Sequence, residues 1–158
     1  AIAALNGLPT GLLLLVVVGH SAARVAAQLA APAVVLPFQI DPTEMASCYQ
    51  AVDLCLVTSE VEAFGRIGAE AQACGTPVVA FAAGGIPEVV RDGVGGYLVP
   101  VGDVPSLVST LTRLASDPHQ RTDLAQAGRR YVEAHFDQTA VAARHVALYR
   151  DILERAHA

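Results

Sequence analysis

Between residues 54 and 81 an apolar run, a glycine-containing turn, a helix-period stretch and a second apolar run follow one another with little between them. The outer runs, 54–57 and 77–81, have the length of buried strands, and small and apolar residues recur between them at helical spacing. A strand that returns parallel to its neighbour needs such a crossover, so the stretch 59–88 commits the chain to an α/β sheet. In open sheets of this kind, the loop leaving a strand's carboxyl end is where ligands bind. Glu62 stands in that loop and Glu70 in the helix that follows.

Phe64 and Gly65 mark the turn, and the helix is expected over 66–74 with Ile67, Ala71 and Cys74 as its core stripe. Gly65 lets the backbone come close to a ligand, and the free N–H groups of Arg66, Ile67 and Gly68 suit an anion such as phosphate. A carboxylate accepts hydrogen bonds from paired hydroxyls, so Glu70 beside a phosphate site is placed to hold a ribose while Glu62 reaches a second sugar. Phosphate between two sugars points to a nucleotide sugar. The plainer readings are a solvated loop acid for Glu62 and a helix-surface acid for Glu70. Against them, Gly68, Ala69, Ala71 and Ala73 leave room for something close.

Glu62 and Glu70 form an E-x7-E pair, followed or overlapped in order by Phe64-Gly65, Glu70-Ala71, Ala73-Cys74-Gly75, Pro77-Val78-Val79, Gly84-Gly85, Pro87-Glu88 and Gly95-Gly96. The set resembles the retaining glycosyltransferases of family 4, within the group 1 glycosyl transferases. The acid pair alone is a weak signal; its ordered companions make it specific, and the resemblance covers nearly the whole chain. It implies a Rossmann-like, mostly parallel sheet with helices on both faces, the C-terminal donor-binding lobe of a two-domain GT-B enzyme. It also implies that Glu62 contacts the donor sugar near the reacting carbon and that Glu70 binds the nucleotide ribose. Gly84 and Gly85 would lie at the donor's sugar and phosphate, and Ile40 would meet the base through its backbone. Arg66 would either approach phosphate or lie at the rim. No cofactor is implied, since the nucleoside-diphosphate sugar is a substrate, and no metal ion, since protein groups in the family take the cation's role.

At 158 residues the chain is one domain's worth. Its 53% hydrophobic and 16% charged residues suit a buried parallel sheet, and also a buried interface. With a net charge of −5 and no Lys/Arg cluster interleaved with aromatics, nucleic acid is excluded as a partner. The longest apolar run, 12–18, is far short of a bilayer span, and no charged n-region precedes it. Cys48, Cys55 and Cys74 are odd in number and lack C-x-x-C spacing, as reduced core cysteines do. A cytoplasmic protein is expected, with any membrane contact made through another lobe. His119, His135, His145 and His157 show no metal-ligand spacing, and neither a Walker loop nor a G-x-G-x-x-G follows a strand.

In chain order, a helix-like opening over 1–8 is broken around Gly7, Pro9, Thr10 and Gly11 before a strand over 12–18. Ser21 is the expected cap of a short helix to residue 29, and 33–36 is the next strand. His20 is read as a turn or surface histidine, and Phe38 as either core or part of a base-facing loop. Asp41-Pro42-Thr43-Glu44 has the cap, proline and acid of a helix start; Tyr49 in that helix and Asp53 after it are read as structural. A short strand over 96–99 precedes a helix over 104–116. Asp117 and Asp137 cap two more helices, the last with Val141, Leu148 and Ile152 as its stripe.

The resemblance therefore implies hexosyl transfer with retention from a nucleotide-sugar donor. The chain is expected to start part-way into the domain, after the strand whose Arg and Lys clamp the donor diphosphate in the family, and to lack the N-terminal acceptor lobe. Alone it is expected to be inactive. The rival readings are a nucleotide-binding module without chemistry, an association module that pairs through an exposed apolar face, and a GT-B-type epimerase. The Glu62 to Glu70 pattern favours transfer.

Overall fold

The computed structural model describes residues 2–9, 11–38 and 41–156. Its elements alternate: α1 Ile2–Asn6, β1 Leu15–Val18, α2 Ala22–Ala26, β2 Ala33–Leu36, α3 Pro42–Gln50, β3 Cys55–Val57, α4 Arg66–Ala73, β4 Val78–Phe81, α5 Ile86–Val89 and β5 Gly96–Val99. Three longer helices follow: α6 Val104–Ser116, α7 Pro118–Phe136 and α8 Gln138–Ala156. Every ladder is parallel, pairing Leu15 with Ala33, Cys55 with Val78, and Val78 with Gly96.

β4 shows why helices lie on both faces. Its four residues are all buried. Val78 and Ala80 join Tyr49, Val57, Ala71, Ile86, Val89 and Val90 in one cluster, whereas Val79 and Phe81 join Ala4, Val99, Leu107, Leu111, Leu114 and Leu124 in another. The period-2 alternation of a strand thus feeds α3, α4 and α5 on one side and α1, α6 and the first turns of α7 on the other, while the end of α7 reaches the first side through Phe136. This is the expected Rossmann-like arrangement, with one difference in continuity. β1 and β2 form a two-stranded sheet and β3, β4 and β5 a three-stranded one, and no ladder joins β1 to β3 among the described residues. Fewer neighbours cover the smaller sheet: Val16, Val34 and Val35 remain 37–44% exposed.

Asp41, Asp117 and Asp137 act as the expected caps, and Asp103 caps α6 in the same way. Asp41, Asp103, Asp117 and Asp137 accept from the backbone N–H groups of Thr43, Ser106, Gln120 and Thr139 at 2.7–3.0 Å. Ser21 does not. It occupies the cap position at φ −100°, ψ 8°, outside the extended conformation from which a cap side chain reaches back, and its hydroxyl accepts from Arg24 at 3.3 Å instead. The expected stripe of α8 also fails to find a core: no residue of α8 is buried, and Leu148 and Ile152 stay about half exposed. After Asp137, α8 follows α7 and contacts it without burying a residue. Among the described residues, no helix is long and apolar enough to cross a membrane.

Candidate functional site

The site starts where β3 ends. Gly65 stands at the N-cap of α4 with φ +96°, a left-handed conformation open to glycine and strained for other residues. A Cβ there would also lie 3.4 Å from the Ile86 Cα. Because the cap is a glycine, no cap side chain covers the first-turn N–H groups of Arg66, Ile67 and Gly68. One turn on, Gly68 is buried, and a Cβ there would come within 2.9 Å of Val90 Cγ2. That close approach sets the rotation of the helix. The buried face of α4 is Gly68, Ala71 and Gln72, not the expected Ile67, Ala71 and Cys74, because the small residue admits α5 where isoleucine would hold it off. Ile67 is 47% exposed beside the open helix end.

Glu62 is half-buried in the loop before Gly65, and the loop after β4 lies against it. The Gly85 N–H donates to the Glu62 carbonyl at 3.1 Å. A Cβ on Gly84 would sit 1.8 Å from the Glu62 carbonyl oxygen, and one on Gly85 2.4 Å from that of Ala63. The glycine pair therefore supports the Glu62 loop from below, and the Gly85 amide is already engaged there. Phe64, 44% exposed, meets Phe136 at the end of α7 edge-on with ring centroids 5.5 Å apart.

Glu70 is held from two sides. Its Oε2 accepts from the Tyr49 hydroxyl at 3.0 Å, and Arg66 Nε lies 3.4 Å from its Oε1. The Tyr49 ring is buried in the core between α3 and α4. Burial, and then the Glu70 carboxylate, push the phenol well above its ordinary range, so it stays a donor. Glu70 also borders a groove of about 270 Å³ between α4 and α7, shared with Ala69, Ala73, Val132, Glu133, Phe136 and Asp137. Tyr49, read as structural from the sequence, thus ends on a site carboxylate. The available signal was its position in the core stripe of α3, since a buried tyrosine hydroxyl needs a partner. Asp53, read as structural, pairs with Arg121 at 3.3 Å on the surface.

At the carboxyl ends of β1 and β2, His20 and Phe38 stack with centroids 4.6 Å apart and planes 17° from parallel. Phe38 is 51% exposed, so it is not a core residue. Ile40, the expected base contact, lies outside the described residues. The structure brings the remaining candidates, Glu62, Phe64, Gly65, Arg66, Ile67, Glu70, Gly84 and Gly85, to the carboxyl ends of β3 and β4. Among the described residues, no group of three or more His, Cys, Asp and Glu side chains is placed to hold a metal ion.

Known proteins resemble this chain in sequence and in fold. The D-inositol 3-phosphate glycosyltransferase of Thermobispora bispora is 41% identical over 114 residues, which cover 72% of this chain and 26% of that protein. Its counterpart in Mycobacterium leprae is 51% identical over 82 residues, covering 50% of this chain and 19% of that one. Anabaena HepE, solved in complex with UDP and glucose, superposes with a TM-score of 0.80 at 26% identity, covering 95% of this chain and 43% of that one. For the sucrose-phosphate synthase of Thermosynechococcus elongatus the TM-score is 0.78 at 33% identity, covering 98% and 41%. The chain thus spans about a quarter or less of these curated relatives and under half of the solved chains. The family model described as glycosyl transferases group 1 matches residues 2–131, from α1 through most of α7 and across the whole Glu62 to Gly85 site, and the chain belongs to that family.

Proposed function

We propose that this domain is the C-terminal, donor-binding lobe of a family 4 glycosyltransferase that moves a hexose from a nucleoside-diphosphate sugar with retention of configuration. In this reading Glu62 contacts the donor sugar near the reacting carbon, and Glu70 accepts from the ribose hydroxyls. The uncapped N–H groups of Arg66, Ile67 and Gly68 bind phosphate and stabilise charge developing on the leaving diphosphate. Phe64 and Ile67 wall the site, and Gly84 approaches the sugar or phosphate. Ile40 is kept as the backbone contact to the base. The exposed Arg66–Glu70 pair is worth only about 0.3–0.5 kcal/mol, so Arg66 turns to phosphate at small cost. One observation carries the reading: the Glu62 loop, the open end of α4 and Glu70 lie together at one end of the sheet, locked by Gly85.

HepE has been solved with UDP and with UDP-glucose, which supports uridine diphosphate as the first donor nucleotide to test. The names of the curated relatives support D-inositol 3-phosphate as a first acceptor, bound by a second lobe. The edges of β1 and β3 that no ladder joins support a further strand between them, bearing the cationic diphosphate clamp. The half-exposed Val146, Leu148, Tyr149 and Ile152 of α8 support a docked N-terminal lobe as partner.

Titration calorimetry with UDP, GDP and ADP tests this. UDP is expected to bind best and weakly, and Glu70→Ala to weaken it about tenfold or more, the loss of a hydrogen bond to a charged acceptor. Unchanged affinity in that variant would return Glu70 to the helix surface and remove the ribose role.

A further inference from the structure

We propose that Tyr49 is a positioning residue for the donor's ribose, its hydroxyl fixing the Glu70 carboxylate in the orientation that receives a vicinal diol. The inference rests on the reading of Glu70 given above and adds a second residue, from a different helix, to that reading.

Tyr49 ties α3 to α4 at two points. Its hydroxyl donates to Glu70 Oε2 at 3.0 Å, and its own carbonyl accepts from the Thr76 hydroxyl at 2.7 Å. Thr76 is itself buried, and its N–H donates to the Ala71 carbonyl at the end of α4. The tyrosine therefore has little freedom to move relative to the helix that carries Glu70. Tyr49 is only 6% exposed, so the hydroxyl reaches the carboxylate from the core side. Arg66 reaches the other oxygen, and its side chain, 82% exposed, does so from solvent. Each carboxylate oxygen has two acceptor positions, so one on each remains after these contacts. Two adjacent acceptors on a fixed carboxylate are the match for two adjacent ribose hydroxyls.

Fixing matters because a glutamate on a helix surface samples several rotamers and loses that freedom when a ligand binds. Holding it beforehand removes the loss from the binding step. A bond that served only to join α3 to α4 would not care whether the ligand carries a 2′-hydroxyl. A bond that orients Glu70 would.

The test compares UDP with 2′-deoxy-UDP on the intact protein, its Tyr49→Phe variant and its Glu70→Gln variant, by titration calorimetry. The Phe ring fills the same core space, and circular dichroism with a thermal midpoint verifies folding. Wild type is expected to prefer UDP by about tenfold or more. Tyr49→Phe is expected to shrink that preference about two- to tenfold, the size of one side chain's ordering, while 2′-deoxy-UDP binds nearly as before. A Tyr49→Phe protein that keeps the full preference, while Glu70→Gln loses it, overturns the role of Tyr49 and leaves the ribose reading of Glu70 intact. If Glu70→Gln also keeps the preference, both fall together. Proton NMR of the wild-type complex gives a readout that needs no variant. A slowly exchanging Tyr49 hydroxyl proton coupled through space to Glu70 is expected with UDP bound, and its disappearance on binding would overturn the inference.

Discussion

Gly84 acts through what it leaves out. Its φ of +50° and the 1.8 Å gap to the Glu62 carbonyl oxygen leave no position for a Cβ unless the Glu62 loop moves. Gly84→Ala is expected to cost about 1–3 kcal/mol, as overpacking against backbone does, and to weaken UDP binding because Glu62 and the α4 terminus shift together. Gly93 is the control. Its φ is +73° but nothing lies within 4 Å of its would-be Cβ, so Gly93→Ala carries only the backbone strain of about 1–2 kcal/mol. Urea unfolding should show both losses, and nucleotide titration only the first. A Gly84→Ala protein that binds UDP normally would mean that the glycine pair does not position the site.

At the scale of elements, α4 is held in place by α7, and the contact is made by glycine. The Gln72 Nε2 donates to the carbonyls of Gly68 and Val89 at 2.9 and 3.1 Å, which leaves its buried Oε1 facing Gly95 and Gly128 with no hydrogen-bond partner. A Cβ on Gly95 would lie 1.7 Å from that oxygen, and one on Gly128 2.7 Å from the Gly95 Cα. Gly128 sits inside α7, where alanine would normally gain about 1 kcal/mol of helix propensity. The clash is with backbone, which cannot rotate away, and overpacking of this kind costs about 1–3 kcal/mol. Gly128→Ala is therefore expected to destabilise despite its better propensity, lowering the thermal midpoint. A raised midpoint would show that α7 can shift without cost. Such a shift would reach the site, since Phe136 at the end of α7 packs on Phe64.

For the whole molecule, the reading proposed above makes the described residues one wall of a cleft, and α8 carries Val146, Leu148, Tyr149 and Ile152 half exposed with no buried residue of its own. In an open half-site, water screens the charges meant to stabilise a leaving diphosphate, and the effective concentration gained by holding two substrates together is forfeited. This chain alone is expected to transfer no sugar and to hydrolyse donor slowly at most. Product formation from radiolabelled UDP-sugars, with a panel of acceptors including D-inositol 3-phosphate, checks this with and without a separately made N-terminal lobe. Robust turnover by the chain alone, abolished by Glu62→Ala, would show that a second copy completes the cleft and overturn this account.

Local rules were enough for much of this protein. The strand period of β4, the four aspartate caps and the spacing of Glu62, Gly65 and Glu70 around a crossover are properties of short segments, so the sequence determined the element order, the α/β class and the position of the candidate residues on the crossover. Tertiary packing decided the rest. Helical spacing alone pointed to a face of α4 led by Ile67, and the close approach of Val90 turned the helix to the one led by Gly68. Phe38 and the α8 stripe carry hydrophobicity that would suit a core, but only the arrangement of neighbours shows that Phe38 stays half exposed beside His20 and that α8 buries no residue. The hydrogen bond from Tyr49 to Glu70 joins residues 21 apart in sequence. Its existence depends on how α3 lies against α4, which no local spacing records.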